Sequence, residues 1–126
     1  MTSALPASLV DQVRDALNSR DLEAFGALLT DDVRWGDEKH PRSCKNRADV
    51  LRTFARGMSE GMDGTVSELG SGSDGILCRL SMSWPEGHPR SEDVDVFHVY
   101  LVRDERIFQI LRFFDRDSAA RAAGLE

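Results

Sequence analysis

Thr30-Asp31-Asp32-Val33-Arg34-Trp35-Gly36-Asp37 is the stretch that decides how this chain folds. Before it, apolar residues recur at helical spacing; at Val33 the chain becomes a short strand, Val33 to Gly36. That strand ends on Trp35 and, two residues later, on a lone carboxylate, Asp37. A large ring and an acid at the end of a strand, followed by a polar loop, place both at the mouth of a small-molecule pocket. The adjacent Asp31 and Asp32 end a helix and lead into the strand, a structural duty.

Working outward toward the N-terminus, residues 7–18 form an amphipathic helix with Leu9, Val13 and Leu17 on one stripe and Val10 beside it. Pro6 suits a first helical turn, where its missing N–H costs nothing. Asn18-Ser19-Arg20-Asp21 is a turn, and Asp21 is an N-cap for a second helix over 22–29 that turns Leu22, Phe25, Leu28 and Leu29 inward. Toward the C-terminus, residues 37–45 are a polar loop broken by Pro41. Asn46 with Asp49 caps a third helix, 47–59, whose inward residues are Val50, Leu51, Phe54 and Met58. Gly57, Gly61 and Gly64 bring it to an end.

The period then changes to two. Thr65 to Leu69 and Ile76 to Trp84 are strands joined by Gly70-Ser71-Gly72-Ser73-Asp74-Gly75, a turn rich in residues that tolerate positive φ. In the second of these strands Cys78, Leu80, Met82 and Trp84 face one way and Arg79, Ser81 and Ser83 the other. Glu92 to Val102 and Arg106 to Arg116 are two long strands joined at Arg103-Asp104-Glu105. The alanine-rich tail, Ser118 to Leu125, forms a last helical turn or frays. The order is helix, helix, strand, helix, then a four-stranded meander. This is an α+β domain covering residues 1–126: a strongly curved, cone-shaped antiparallel sheet with three helices over its concave face. Such a cone is a natural ligand cavity.

The whole chain narrows the function classes. Its 126 residues suffice for one domain with a real core, and 40% hydrophobic with 30% charged residues is ordinary soluble composition. A net charge of −6 with scattered arginines argues against nucleic acid, whose binding is driven by clustered cations. No window approaches the roughly 18 apolar residues of a membrane span, and the first residues lack the basic-then-apolar pattern of a secretory signal; a cytoplasmic location is expected. Cys44 and Cys78 read as reduced thiols. His40 and Cys44 lack the further ligands that zinc requires, so neither metal nor cofactor is expected.

Asn18-Ser19-Arg20-Asp21-Leu22 and Leu28-Leu29-Thr30-Asp31-Asp32-Val33, in this element order, resemble the nuclear transport factor 2-like superfamily, with its SnoaL-like polyketide cyclases and ketosteroid isomerases. The resemblance runs over residues 8–116. Asp31 through Pro41-Arg42-Ser43 is similar to a bacterial ketosteroid isomerase, which implies Asp37 at the place of the family's general base. A carboxylate in an apolar cavity could shuttle a proton. The same resemblance implies Val13 and Phe97 at the two oxyanion-hole positions, where neither can donate a hydrogen bond, so a typical steroid isomerase is not expected. The superfamily's epoxide hydrolases need an Arg and an Asp two apart on one strand; Asp93-Val94-Asp95 with Arg112 on the next strand supplies similar ingredients in another arrangement. The scytalone dehydratases use His and Tyr lining the cone, for which His98 and Tyr100 fit in type.

A hairpin centred on Asp104-Glu105 sets Phe97 opposite Arg112, Val99 opposite Ile110 and Asp95 opposite Phe114. Phe97, Val99, Leu101, Ile110, Arg112 and Phe114 then occupy the concave face, with Asp95 a diagonal neighbour able to pair with Arg112. The convex face receives Val96, His98, Tyr100, Gln109, Leu111 and Phe113, enough apolar surface to imply a homodimer. A one-residue slip would exchange the two sets. The expected pocket is lined by Trp35, His40, Phe54, Met82, Trp84, Asp95, Phe97, Val99, Ile110 and Phe114. Its ligand is small and hydrophobic, Asp37 is the base, and Arg112 or His40 orients the substrate. The alternative is a non-catalytic ligand-binding or protein-interaction module in which Asp37, Asp95 and Arg112 are structural.

Overall fold

A computed structural model of the chain describes residues 7–36, 45–87, 94–113 and 115–125, with only the backbone of Ala7, Ser8, Met82, Val94 and Asp95. Asp37, His40, Cys44 and Phe114 lie outside the described residues, as do the side chains of Met82 and Asp95. The elements are α1 (Ala7–Ser19), α2 (Leu22–Gly26), β1 (Leu29–Trp35), α3 (Arg47–Ser59), β2 (Asp63–Ser71), β3 (Gly75–Ser83), β4 (Val94–Arg103), β5 (Arg106–Phe113) and α4 (Arg116–Ala123). The sheet order β1-β5-β4-β3-β2 makes one open, curved, five-stranded sheet.

The helices begin where local chemistry dictates. The Asp21 carboxylate accepts from the Ala24 N–H at 3.0 Å, and the Asn46 side-chain oxygen accepts from the Asp49 N–H at 2.9 Å. Each satisfies an amide that the first turn leaves without a partner. From α1, Leu9, Val13 and Ala16 are buried; from α2, Phe25; from α3, Val50 and Phe54. All six lie on one face of the sheet, against Ile76, Cys78, Leu80, Tyr100, Ile107 and Ile110. We call this the inner face. Full burial of a side chain such as Phe25 contributes about 1.5–3 kcal/mol, so these residues dominate the stability of the domain.

Three expectations are corrected. The sheet is mixed: β1 starts at Leu29, inside the segment read as helix, and runs parallel to β5, with Leu29 beside Ile107 and Trp35 beside Ile110. Asp31 and Asp32 are exposed within this irregular strand, and Asp31 is ion-paired with Arg47. A fourth helix, α4, covers the face opposite the other three, packing Ala119, Ala120 and Ala123 on Leu77, Phe97 and Val99. It is capped by the Asp115 carboxylate, which accepts from the Ser118 N–H at 2.8 Å, and by Gly124 at φ 80°. Gly72, in the turn read as rich in residues that tolerate positive φ, permits close contact: a Cβ there would stand 2.2 Å from the Ala123 carbonyl oxygen at the end of α4.

The third correction concerns the faces. The hairpin turn is centred where the sequence placed it: Asp104 and Glu105 have φ of 54° and 65°, the two-residue turn whose twist suits a hairpin. Arg103 pairs with Arg106 and Val102 with Ile107, but Leu101 then pairs with Gln109. Phe108 is an extra residue, a β-bulge, and beyond it every β4–β5 pair shifts by one. His98 therefore stands opposite Arg112 and Tyr100 opposite Ile110. His98 and Tyr100 move to the inner face, while Phe97 and Val99 move to the outer face beneath α4. Arg112 leaves the row that contains Asp95, so the register does not support the diagonal pair expected of them.

Candidate functional site

Five rings gather where β1 ends. Trp35, half-buried, stacks on Phe54 of α3 with centroids 5.2 Å apart at 27°. His98 of β4 meets Trp35 edge-on at 5.4 Å and 82°, and lies 6.4 Å from Phe54. Tyr100 stands edge-on to His98 at 5.8 Å and to Phe25 at 5.8 Å, and Phe25 meets Phe54 at 5.3 Å. Edge-to-face and offset contacts at these distances are the arrangements that ring quadrupoles favour. The cluster arises because α2, α3, the end of β1 and the middle of β4 each contribute one or two rings to the same side of the sheet.

Inside this apolar surround is a polar row. The His98 Nδ1 and the Tyr100 hydroxyl are 3.2 Å apart, and both residues are buried, His98 to 5% and Tyr100 to 0% exposure. Tyr100 also neighbours Cys78 of β3, which stands directly across from His98. Burial pushes the Cys78 thiol up to about 12, despite the opposing hydrogen bond from Tyr100, so it is inert as a nucleophile at neutral pH. Burial, with the neighbouring thiol, holds the Tyr100 phenol well above its ordinary value. Arg112, half-buried, projects from the same face as His98, its cross-strand partner.

The base of the loop that follows β1 is pinned to β5. The Gly36 N–H donates to the Ile110 carbonyl at 2.9 Å, and the Gln109 amide donates to the Gly36 carbonyl at 2.5 Å. Gly36 has φ 118°, where a side chain would be strained. The chain thus leaves the sheet at a fixed point, one residue before Asp37. The indole Nε1–H of Trp35 is enclosed and has no hydrogen-bond partner among the described residues.

Of the residues expected to line the pocket, the structure brings together Trp35, Phe54 and Ile110 on the inner face, with Arg112 beside them. Trp84 follows β3 and is half-buried. Phe97 and Val99 belong to the other face, where Arg79 lies over the Phe97 ring at 5.6 Å. The residues missed are His98, Tyr100 and Cys78. A signal for them exists in Ile107 and Ile110: both are buried on the inner face, yet three residues apart, which period two forbids unless a bulge intervenes. Among the described residues, no group of three or more His, Cys, Asp and Glu side chains could hold a metal, and no helix is long and apolar enough to cross a membrane.

An open groove of about 430 Å³ lies between the β2–β3 turn, the β4–β5 hairpin and α4. Ser73, Asp74, Leu101, Val102, Arg103, Phe108 and Ala122 line it, and Arg103 sits over the Phe108 ring at 4.1 Å. None of the five rings lines it.

The sequence profile of the family described as SnoaL-like domain matches residues 10–110. No curated protein matches the chain. Among solved structures, an uncharacterised cystatin-fold protein from Novosphingobium aromaticivorans superposes with a TM-score of 0.71 at 14% identity, covering 90% of this chain and 98% of that one. A ketosteroid isomerase candidate from Kribbella flavida gives 0.69 at 23% identity, covering 86% and 76%. An LEH-like epoxide hydrolase from M. tuberculosis gives 0.63 at 20%, covering 92% and 86%. At these identities the likeness is one of fold.

Proposed function

The chain belongs to the SnoaL-like family, and from that premise we propose that it binds a small, largely hydrophobic molecule on the inner face of its sheet and acts on it by cofactor-free acid–base chemistry. The observation that carries this reading is the buried His98–Tyr100 pair set among Trp35, Phe54 and Phe25, beside Arg112. An apolar wall with a few placed polar groups is the usual make-up of a small-molecule site. Asp37 follows directly on the pinned Gly36 and is the proposed base; Arg112 and His98 orient or polarise the substrate. The reaction class is isomerisation, cyclisation, dehydration or hydrolysis, the chemistries a carboxylate can serve without a cofactor. His40 remains proposed as a loop contact. A cytoplasmic homodimer is proposed too, paired through Leu111 and Phe113 of the outer face, both half-exposed in the single chain.

The chain as purified should release a small organic molecule in native mass spectrometry, and His98→Phe should retain it more weakly. Once a substrate is in hand, Asp37→Asn should lower kcat by about 10²-fold or more while leaving the fold intact; unchanged turnover sinks the role of Asp37. A second reading, a non-catalytic binding module, draws on Val13 and Phe97. Val13 is wholly buried in the helical core and Phe97 lies under α4, so neither of the positions implied for an oxyanion hole meets the ring cluster as a donor.

A further inference from the structure

We propose that the open groove between the β2–β3 turn, the β4–β5 hairpin and α4 is a binding site in its own right, and that its ligand is a free α-amino acid with an apolar side chain. None of the residues lining that groove belongs to the ring cluster, so this site stands or falls apart from the inner face.

The groove has the size and make-up of a small-molecule site. Its volume of about 430 Å³ lies within the roughly 300–1,000 Å³ that such sites occupy. Leu101, Val102, Phe108 and Ala122, all half-buried, give it an apolar surface, and Arg103 and Asp74, both exposed, give it one charge of each sign. Backbone hydrogen bonds tie its walls together. The Val102 N–H donates to the Asp74 carbonyl at 3.2 Å, and the Asp74 N–H donates to the Ala123 carbonyl at 2.9 Å. The turn is thus fastened to β4 on one side and to α4 on the other. The outline of the groove is set by backbone, before any ligand arrives.

Arg103 is held by what lies beneath it. Its guanidinium carbon stands 4.1 Å from the centre of the Phe108 ring. That contact occupies the flat face of the guanidinium and leaves its N–H edges for in-plane hydrogen bonds. Phe108 is available because it is the bulged residue, without a partner on β4. Arg103 and Asp74 line one groove yet do not neutralise each other, and among the described residues neither forms an ion pair. A ligand with a carboxylate alone would meet Arg103 but also the like charge of Asp74, on a chain whose net charge is already −6. An amine alone would meet the reverse. An α-amino acid carries both groups on one carbon. Its carboxylate can accept from the Arg103 fork, its ammonium can donate to Asp74, and its side chain can cover Leu101, Val102 and Phe108.

The test titrates the full ¹⁵N-labelled chain with L-leucine at neutral pH. The amides of Asp74, Val102, Arg103 and Phe108 should shift together and saturate. The indole N–H of Trp35, identified by its loss in Trp35→Phe, should stay still. N-acetyl-leucine, which lacks the ammonium, and leucinamide, which lacks the carboxylate, should each bind about 3- to 10-fold more weakly. Asp74→Asn should remove the preference for leucine over N-acetyl-leucine, and Arg103→Gln the preference over leucinamide. Both positions are exposed, so the inner-face resonances should match those of the wild type in each variant. No saturable shift at the groove, equal affinity for the three compounds, or a response confined to the inner face overturns the site. Tighter binding of N-acetyl-leucine, which mimics the end of a peptide, overturns the amino acid as its ligand.

Discussion

The inner face of the sheet carries Ile76, Cys78, His98, Tyr100 and Ile110 beneath three helices, whereas the outer face carries Leu77, Phe97 and Val99 beneath one alanine-rich helix. On the inner side, long side chains meet across a thick layer, and the rings of Trp35 and Tyr100 bring polar atoms with them. On the outer side, three alanines let α4 lie close to the strands, and the contact is apolar throughout. A layer thick enough for rings can also hold a hydrogen-bonded row, while a layer of methyl groups leaves no room for one. The buried polar side chains therefore belong to the inner face, and the outer face is covered by apolar packing.

That contrast can be broken most severely at the bulge. Inserting one residue between Leu101 and Val102, opposite Phe108, would give the extra residue a partner and turn His98 and Tyr100 toward α4, exchanging buried sets on both sides. Loss of the cooperative unfolding transition in urea is the expected outcome. An insertion variant with wild-type stability would show that the bulge does not set the faces.

Side-chain size should sharpen the difference next. Phe25→Ala empties a fully buried site among rings and should cost about 3–5 kcal/mol. Ala123→Leu, at the close contact of α4, should cost about 1–3 kcal/mol by overpacking. Chemical denaturation measures both, and a larger penalty at position 123 would reverse the ranking of the two faces.

Alkaline pH acts on the inner face alone. Below the ordinary thiol value of 9.0, Cys78 is protonated in both folded and unfolded chains; between 9.0 and about 12, only the unfolded chain ionises. The folded state then binds more protons, so stability falls as pH rises through that window, and Tyr100 pulls the same way. Cys78→Ala should flatten the fall in urea midpoints, subject to the cavity it leaves, and an equally steep fall would remove the thiol as its cause.

The smallest effect is expected on the outer side. Arg116, in the first turn of α4, donates to Glu68 of β2 at 2.7 and 3.0 Å, which holds the Glu68 carboxyl below its usual range. Its contribution is present at neutral pH and is lost on acidification through that lowered value. Exposed pairs are screened by solvent and salt, so Glu68→Gln should leave the melting temperature nearly unchanged while loosening amide protection in α4.

Local chemistry alone determined much of this protein. Asp21 and Asn46 start helices as any short polar side chain would, the apolar spacing of α1 and α3 chose their buried stripes, and Asp104-Glu105 turned the hairpin where expected. These are interactions among residues within a few positions of one another, and the sequence records them directly. That Trp35 and Phe54 turn to the inner face was legible for the same reason, since a strand end and a helical stripe have fixed directions.

Tertiary structure decided the faces of β4. Whether β5 inserts Phe108 depends on β1 lying parallel beside it, on Ile107 and Ile110 both reaching the helical layer, and on α4 needing Leu77, Phe97 and Val99 beneath it. A bulge changes parity without changing composition, so no local pattern in β4 could reveal it. The one-residue shift turned His98 and Tyr100 from the outer face to the buried inner one. Position along the chain is a local property, but the side on which a strand residue lands is set by every pairing between it and the nearest turn.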